Sequence, residues 1–210
     1  MIRLLVLAFG LGFPLSAGAA ATVLVFGNSI SAGYGLPADA GWVQLLRERL
    51  AKIGADYTVP NASISGETAA GGRRRIDAVL DKHRPEIVIL ELGGNDGLRG
   101  ARIEALQADL EAMVTASLKR KARVILVGMR LPPNYGSSYV QRFEAVYQAI
   151  AKKHRVTLVP FLFEGFGERH ELFQSDGIHP TREAQPLMLE TVWKALGPLV
   201  SAPRSGTALR

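Results

Sequence analysis

Apolar positions along this chain fall into two kinds of block. Short continuous runs occur at Val23-Leu24-Val25-Phe26, within Glu86 to Leu92, at Val124 to Val127 and at Val156 to Val159. Runs of that length, rich in Val, Ile and Leu, read as strands buried on both faces. A mixed run from Tyr57 to Ala62 reads as a further strand. Between the runs, apolar residues recur at helical spacing: Trp42, Leu45, Leu46, Leu50 and Ile53, then Ile76, Val79 and Leu80 in a helix capped by Thr68 and ending near His83. The same spacing appears at Ile103, Leu106, Leu110, Met113 and Val114, at Val140, Phe143, Val146, Tyr147 and Ile150, and at Leu187, Met188, Val192 and Leu196. Pro186 belongs in the first turn of that last helix, where a missing N–H costs little. Strands alternating with helices predict a parallel sheet covered on both faces, here a single three-layer α/β/α domain with five strands.

Composition narrows the picture. A length of 210 residues, 48% hydrophobic and 21% charged, suits one folded domain with a substantial core. The net charge of +6 raises the question of nucleic acid. The basic runs Arg73-Arg74-Arg75 and Lys119-Arg120-Lys121, however, lie on amphipathic helices and read as solvated faces, so no nucleic-acid partner is expected. Weak attraction to an anionic membrane surface stays open. Arg3, the apolar stretch Leu4 to Leu15 and Ala17-Gly18-Ala19 have the layout of a secretory signal peptide. The expected organisation is therefore a cleaved leader over residues 1–20, one domain over 21–200 and a flexible tail over 201–210, in a periplasmic or secreted monomer. Without cysteine there is no disulfide framework, Cys metal site or Cys nucleophile.

Candidate chemistry gathers where strands end. The first strand breaks at Gly27 into Asn28-Ser29-Ile30-Ser31, and ligands of open α/β sheets bind outside the carboxyl ends of strands. Alone this is weak, since serines favour turns for local reasons, and it is not the G-x-S-x-G elbow. Of the four histidines, His83 and His154 end helices and read as structural cations at the negative helix terminus, while His170 lies among charged surface residues. His179 differs. Asp176 stands three residues before it across Gly177, close enough to take the Nδ1 proton and leave Nε2 free as a base. Asn95, after the strongest strand, and Gly66, after the second, offer a side-chain amide and a backbone N–H to a developing oxyanion. Each fragment also reads as an ordinary turn or capped loop; their convergence at one sheet end is what points to nucleophilic catalysis.

The four stretches, with Ser29, Gly66, Asn95 and His179 in that order, resemble the blocks of the SGNH (GDSL-type) hydrolase superfamily. Trp42, Gly93 to Gly100 and Met129 to Gly136 are similar to its periplasmic branch of acyl-CoA thioesterase I, lysophospholipase L1 and arylesterase enzymes. The resemblance implies a flavodoxin-like sheet and hydrolysis of esters and thioesters without metal or cofactor. It further implies Ser29 as nucleophile, His179 as base, Asp176 as its partner, and an oxyanion hole formed by the Ser29 and Gly66 N–H groups and Asn95.

One departure stands out. The superfamily's Gly-Asp-Ser is Gly27-Asn28-Ser29 here. Asn28 supports the nucleophile turn without a charge, so its bonds are expected to be weaker; either the turn is looser or Asn28 has different partners, and the activity is expected to be reduced or retuned. Leu98, Pro132, Tyr135, Phe161 and Ile178 are candidate substrate contacts for an acyl chain or aromatic leaving group, with core packing an equal reading for the Phe161 region. The alternatives are a carbohydrate O-deacetylase, an acyltransferase, and a non-catalytic lipid- or ester-binding protein weakened by Asn28.

Overall fold

The computed structural model describes residues 20–201; the expected leader, apart from Ala20, and the tail beyond Ser201 lie outside the described residues. Five strands, β1 Ala21–Gly27, β2 Tyr57–Thr58, β3 Ile87–Glu91, β4 Arg123–Val127 and β5 Thr157–Val159, form one parallel sheet in the order β2-β1-β3-β4-β5. The helices are α1 Ser29–Ala32, α2 Trp42–Lys52, α3 Ala69–His83, α4 Gly94–Leu98, α5 Ile103–Lys119, α6 Ser137–His154 and α7 Gln185–Ser201.

This order explains where the site must be. From β1 the chain moves first to β2 on one side, then across to β3, β4 and β5 on the other. Parallel crossovers are right-handed, so that change of direction sends the helices to opposite faces. α2 packs with α7, and α3, α5 and α6 pack in sequence with one another. The loops leaving β1 and β3 therefore diverge and open a crevice at their carboxyl ends. The central strands are buried throughout, with Val23, Leu24, Val25 and Phe26 facing Ile87 to Leu90 across the ladder.

Three local differences from the sequence reading have physical causes. The second strand pairs over only Tyr57–Thr58, plus a bridge from Asn61 to Val25, because Pro60 lacks the N–H a longer ladder would need. Ile53 is not on the apolar face of α2: it is the C-cap and is exposed, the helix having already turned it outward. Ser201 is the last residue of α7, which carries Pro198 inside it. The cap and end of α3 follow expectation, with the Thr68 side chain accepting from the Gly71 N–H and the helix ending at His83.

Candidate active site

The turn that bears Ser29 begins where β1 runs out. Asn28 is the N-cap of α1, and Ser29 is that helix's first residue. The Asn28 Oδ1 accepts from the Ile30 N–H at 2.9 Å, the local bond that favours Asn at caps. The opposite end of the amide is also bonded: Nδ2 donates to Glu91 Oε1 at 2.8 Å. Glu91 Oε2 accepts from Ser31 Oγ at 2.8 Å and from the Asn28 N–H at 3.3 Å. Of the two outcomes expected at Asn28, a looser turn or different partners, these contacts are the second: the amide is bonded at both ends, to the Ile30 N–H and to Glu91.

Glu91 is fully buried at the end of β3, and the ladder pairs it with Gly27. A Cβ at position 27 would stand 2.6 Å from Glu91 Oε2, so glycine is the residue that leaves room for the carboxylate. Burial pushes this carboxyl up to about 7, against the lowering effect of the hydrogen bonds from Ser31 and Asn28. Sequence reading passed over Glu91 as the polar edge of an apolar strand. The only trace of it was a carboxylate inside the most hydrophobic run of the chain.

The histidine comes from the other end of the chain. Residues 172–181 fold back on themselves, with the Gln174 N–H donating to the His179 carbonyl at 2.7 Å and the Thr181 N–H to the Leu172 carbonyl at 2.8 Å. Gly177 turns the loop in the left-handed region at φ 68°. Asp176 Oδ1 accepts from the Ile178 and His179 N–H groups at 2.9 and 3.0 Å, and Oδ2 meets His179 Nδ1 at 2.7 Å. Partial burial works to raise the Asp176 carboxyl, but the bonds from the His179 ring and from the two N–H groups outweigh it and hold it at about 2. An ionised Asp176 requires His179 Nδ1 to be the donor, which leaves Nε2 as an acceptor. Nε2 lies 2.9 Å from Ser29 Oγ. The structure thus brings Ser29, His179 and Asp176 into one hydrogen-bonded chain.

Asn95 and Gly66 come from the two loops that diverge from β3 and β2. Asn95 lies in α4, a single turn of helix where the sequence suggested only a glycine-rich bend. Its Nδ2 donates to the Glu67 carbonyl at 2.9 Å, fixing the amide beside the Gly66 turn. That turn is further clamped by Arg75, which donates to Glu67 Oε2 at 2.6 Å and to the Ala62 carbonyl at 2.8 Å while its guanidinium covers the Phe26 ring at 3.9 Å. Gly66 has φ 79°, and no atom lies within 4 Å of where its Cβ would be. Asp96 Oδ2 accepts from the Ala69 N–H at 2.9 Å and ties α4 to the start of α3.

The candidate substrate contacts divide. Ile178 is exposed beside His179, and Leu98 and Tyr135 are joined by a bond from the Tyr135 hydroxyl to the Leu98 carbonyl at 3.1 Å. Pro132 is exposed and precedes the short turn Pro133–Tyr135. Phe161 packs edge-on against Phe163 at 5.6 Å and lies under the Arg130 guanidinium at 4.7 Å, contacts of the packing kind. Two residues that sequence reading missed join the loops. The Tyr34 ring lies 4.4 Å from that of His179, and Gln174 Nε2 donates to the Tyr34 carbonyl at 2.9 Å and to the Pro180 carbonyl at 3.2 Å. Neither had a local signal, since Tyr34 and Gln174 are far apart in sequence.

His154 and arginines of both basic runs have charged partners. His154 Nε2 pairs with Glu111 at 2.8 Å at the end of α6. At His83 burial and then the neighbouring Lys82 lower the pKa, which works against the cationic form expected at the helix end. Arg73 pairs with Asp109, and Arg120 with Asp77 and Asp81. Among the described residues, no group of three or more His, Asp or Glu gathers as a metal-ligand set.

Residues 25–186 match the GDSL-like lipase/acylhydrolase family. The chain is 50% identical over 182 residues to esterase TesA of Pseudomonas aeruginosa, covering 87% of this chain and 90% of that one. It is 41% identical over 198 residues to an arylesterase of Vibrio mimicus, covering 93% and 98%. Identity is 42% over 185 residues, 88% of each chain, to thioesterase 1/protease 1/lysophospholipase L1 of Escherichia coli. A crystal structure of TesA superposes with a TM-score of 0.83 at 50% identity, covering 85% of this chain and 99% of that one.

Proposed function

The chain belongs to the GDSL-like lipase/acylhydrolase family, and we propose that it uses Ser29, His179 and Asp176 as a triad. Its class of activity is that of a serine hydrolase of esters and thioesters. The observation that carries the proposal is the unbroken chain from Ser29 Oγ to His179 Nε2 at 2.9 Å and from Nδ1 to Asp176 Oδ2 at 2.7 Å.

In this reading Ser29 Oγ attacks the acyl carbonyl as His179 Nε2 takes its proton. The tetrahedral oxyanion accepts from the Ser29 and Gly66 N–H groups and from Asn95 Nδ2. His179 then protonates the departing alcohol or thiol, leaving an acyl-serine, and activates a water that releases the acid. Asp176 keeps its charge throughout and fixes the tautomer. No step calls for a metal or cofactor. Aryl esters, acyl-CoA thioesters and lysophospholipid-type esters are the substrate classes we infer. The apolar side chains at the mouth support them: Tyr34 is 53% exposed, Ile64 51% and Ile178 44%, and the N–H groups of Tyr34 and Ile64 bond to the carbonyls of Ser29 and Gly27. The Arg3 to Ala19 leader supports export to the periplasm or beyond, and one domain acting as a monomer completes the reading.

The test is hydrolysis of p-nitrophenyl esters of graded chain length, with labelling by a fluorophosphonate serine probe. Wild type should turn over and label. Ser29→Ala should lose at least about a thousandfold in kcat and all labelling. A Ser29→Ala protein that still hydrolyses at the wild-type rate refutes the assignment.

A further inference from the structure

We propose that Asn28 and Glu91 form a positioning pair that shares one negative charge across the 28–91 contact, and that this pair holds the nucleophile turn in its working geometry. The inference rests on the acyl-serine reading above and adds to it a residue from β3 that touches neither substrate nor the reacting atoms.

The geometry is one of matched donors and acceptors. Three donors converge on the Glu91 carboxylate: the Asn28 amide at Oε1, and the Ser31 hydroxyl and Asn28 N–H at Oε2. Asn28 and Ser31 flank Ser29 and Ile30, so the carboxylate grips α1 on both sides of the nucleophile. Asn28 uses its oxygen on the Ile30 N–H and its nitrogen on Glu91, and neither atom can be exchanged without setting like against like. Gly27 leaves the space, and the β1–β3 register places Gly27 opposite Glu91.

Other titratable groups approach from neighbouring elements without replacing these partners. Tyr147 of α6 donates to the Leu92 carbonyl and stays neutral, its pKa raised well above the usual phenol value by burial and then by the Glu91 and Asp96 charges. Asp96 of α4 is bonded to the Ala69 N–H. Arg75 of α3 is engaged by Glu67 and the Phe26 ring, and His179 reaches the turn only through Ser29. Thus the carboxylate is satisfied by neutral donors alone, and burial lifts it to about 7. A second carboxyl at position 28 would stand at hydrogen-bond distance from the first, and two such groups cannot both ionise.

The pair can be inverted. Asn28→Asp with Glu91→Gln exchanges amide and carboxylate: the new amide nitrogen takes the place of Oε1 and donates to the new carboxylate, while its oxygen takes the place of Oε2. Every donor again faces an acceptor and the charge count is unchanged. Each single substitution breaks this match. Glu91→Gln turns an N–H donor toward Asn28 in either amide orientation. Asn28→Asp demands an extra proton between two carboxyls.

The experiment compares wild type, Asn28→Asp, Glu91→Gln and the double variant by p-nitrophenyl ester kinetics from pH 5 to 10 and by thermal melting over the same range. Glu91→Gln should lose at least about tenfold in kcat, with KM changed less than about threefold. Asn28→Asp should work on the acid side and decline as pH rises and the shared proton is lost, a decline absent from wild type. Its melting temperature should fall with rising pH more steeply than that of wild type, whose own stability declines as Glu91 loses its proton. The double variant should return to within about threefold of wild type in kcat and lose that alkaline decline. The proposal is overturned if Glu91→Gln melts as a folded protein with wild-type kcat, or if the double variant is no better than the worse single one. Loss of turnover in Ser29→Ala checks the underlying reading separately. If that reading fails, the melts still decide the pair: no added pH dependence in Asn28→Asp, or none removed in the double variant, refutes it.

Discussion

The turn that carries Ser29 and the loop that carries His179 meet at 2.9 Å, yet they are held in opposite ways. The nucleophile turn is part of the core. Ser29 is 8% exposed, Asn28 and Ser31 are buried, and a fully buried carboxylate from the adjacent strand anchors it. The histidine loop lies on the surface, with 39% of the Asp176 side chain exposed, and it is held chiefly by bonds within residues 172–181. A core anchor requires the whole sheet to be correct before the serine is placed. A self-bonded loop carries its own geometry and needs only to be docked, which Gln174 does through the Tyr34 carbonyl. Ser29, proposed to attack and to present an N–H to an oxyanion, is fixed by packing, whereas the Asp176–His179 pair, proposed as the base and its partner, is carried by a surface loop.

That contrast can be broken at several points. The largest effect is expected from His179→Ala, which removes the only base in contact with Ser29 among the described residues and should lower kcat by about a thousandfold or more in ester hydrolysis. Asn95→Ala should cost on the order of a hundredfold in kcat with little change in KM, since the amide is assigned to the oxyanion and not to the ground-state ester. Gln174→Ala cuts the docking bonds without touching the triad, and steady-state kinetics should show a loss of roughly fivefold, the size of one lost hydrogen bond.

The two carboxylates make opposite contributions to stability as pH changes. Asp176 is depressed to about 2, so its contribution is present above the ordinary carboxylate range and is lost as pH falls toward 2. Glu91 is raised to about 7, so between 4.5 and 7 the folded protein binds the proton more tightly than the unfolded chain. Its contribution is therefore greatest on the acid side and declines as pH rises through 7. Calorimetric melts of Glu91→Gln should lack this decline, while Asp176→Asn should instead flatten the loss below pH 4. The smallest effect is expected at the exposed pairs of Arg120 with Asp77 and Asp81: Arg120→Ala should barely move the urea unfolding midpoint and leave kcat unchanged.

Much of this was legible in the sequence, for identifiable reasons. Buried parallel strands must be continuously apolar, so Ile87 to Leu90 announced themselves, and an N-cap such as Thr68 has a local partner within three residues. His179 and Asp176 stood out because they interact across three residues, a contact the loop itself encodes. Failures occurred where the partner was remote. Asn28 looked like a weakened aspartate because nothing near it in sequence reveals what its amide nitrogen meets. Arg75 read as one of three solvated arginines, whereas packing of α3 on β1 lays it over Phe26. Ile53 read as one more helical apolar position, since periodicity alone does not mark where a helix ends.

The chain by itself therefore determined the central strands, the long helices, the loops that hold Ser29, Gly66, Asn95 and the Asp176–His179 pair, and the end of the sheet where they lie. Each of these depends on side-chain periodicity or on contacts within a few residues. Only the tertiary structure decided that Glu91 would stand beneath Asn28. That requires β1 and β3 to pair in the register that sets Gly27 against Glu91, with nothing on the glycine to fill the gap. Burial of a carboxylate is a property of what surrounds it, and the donors that meet this one come from residues at least sixty positions away.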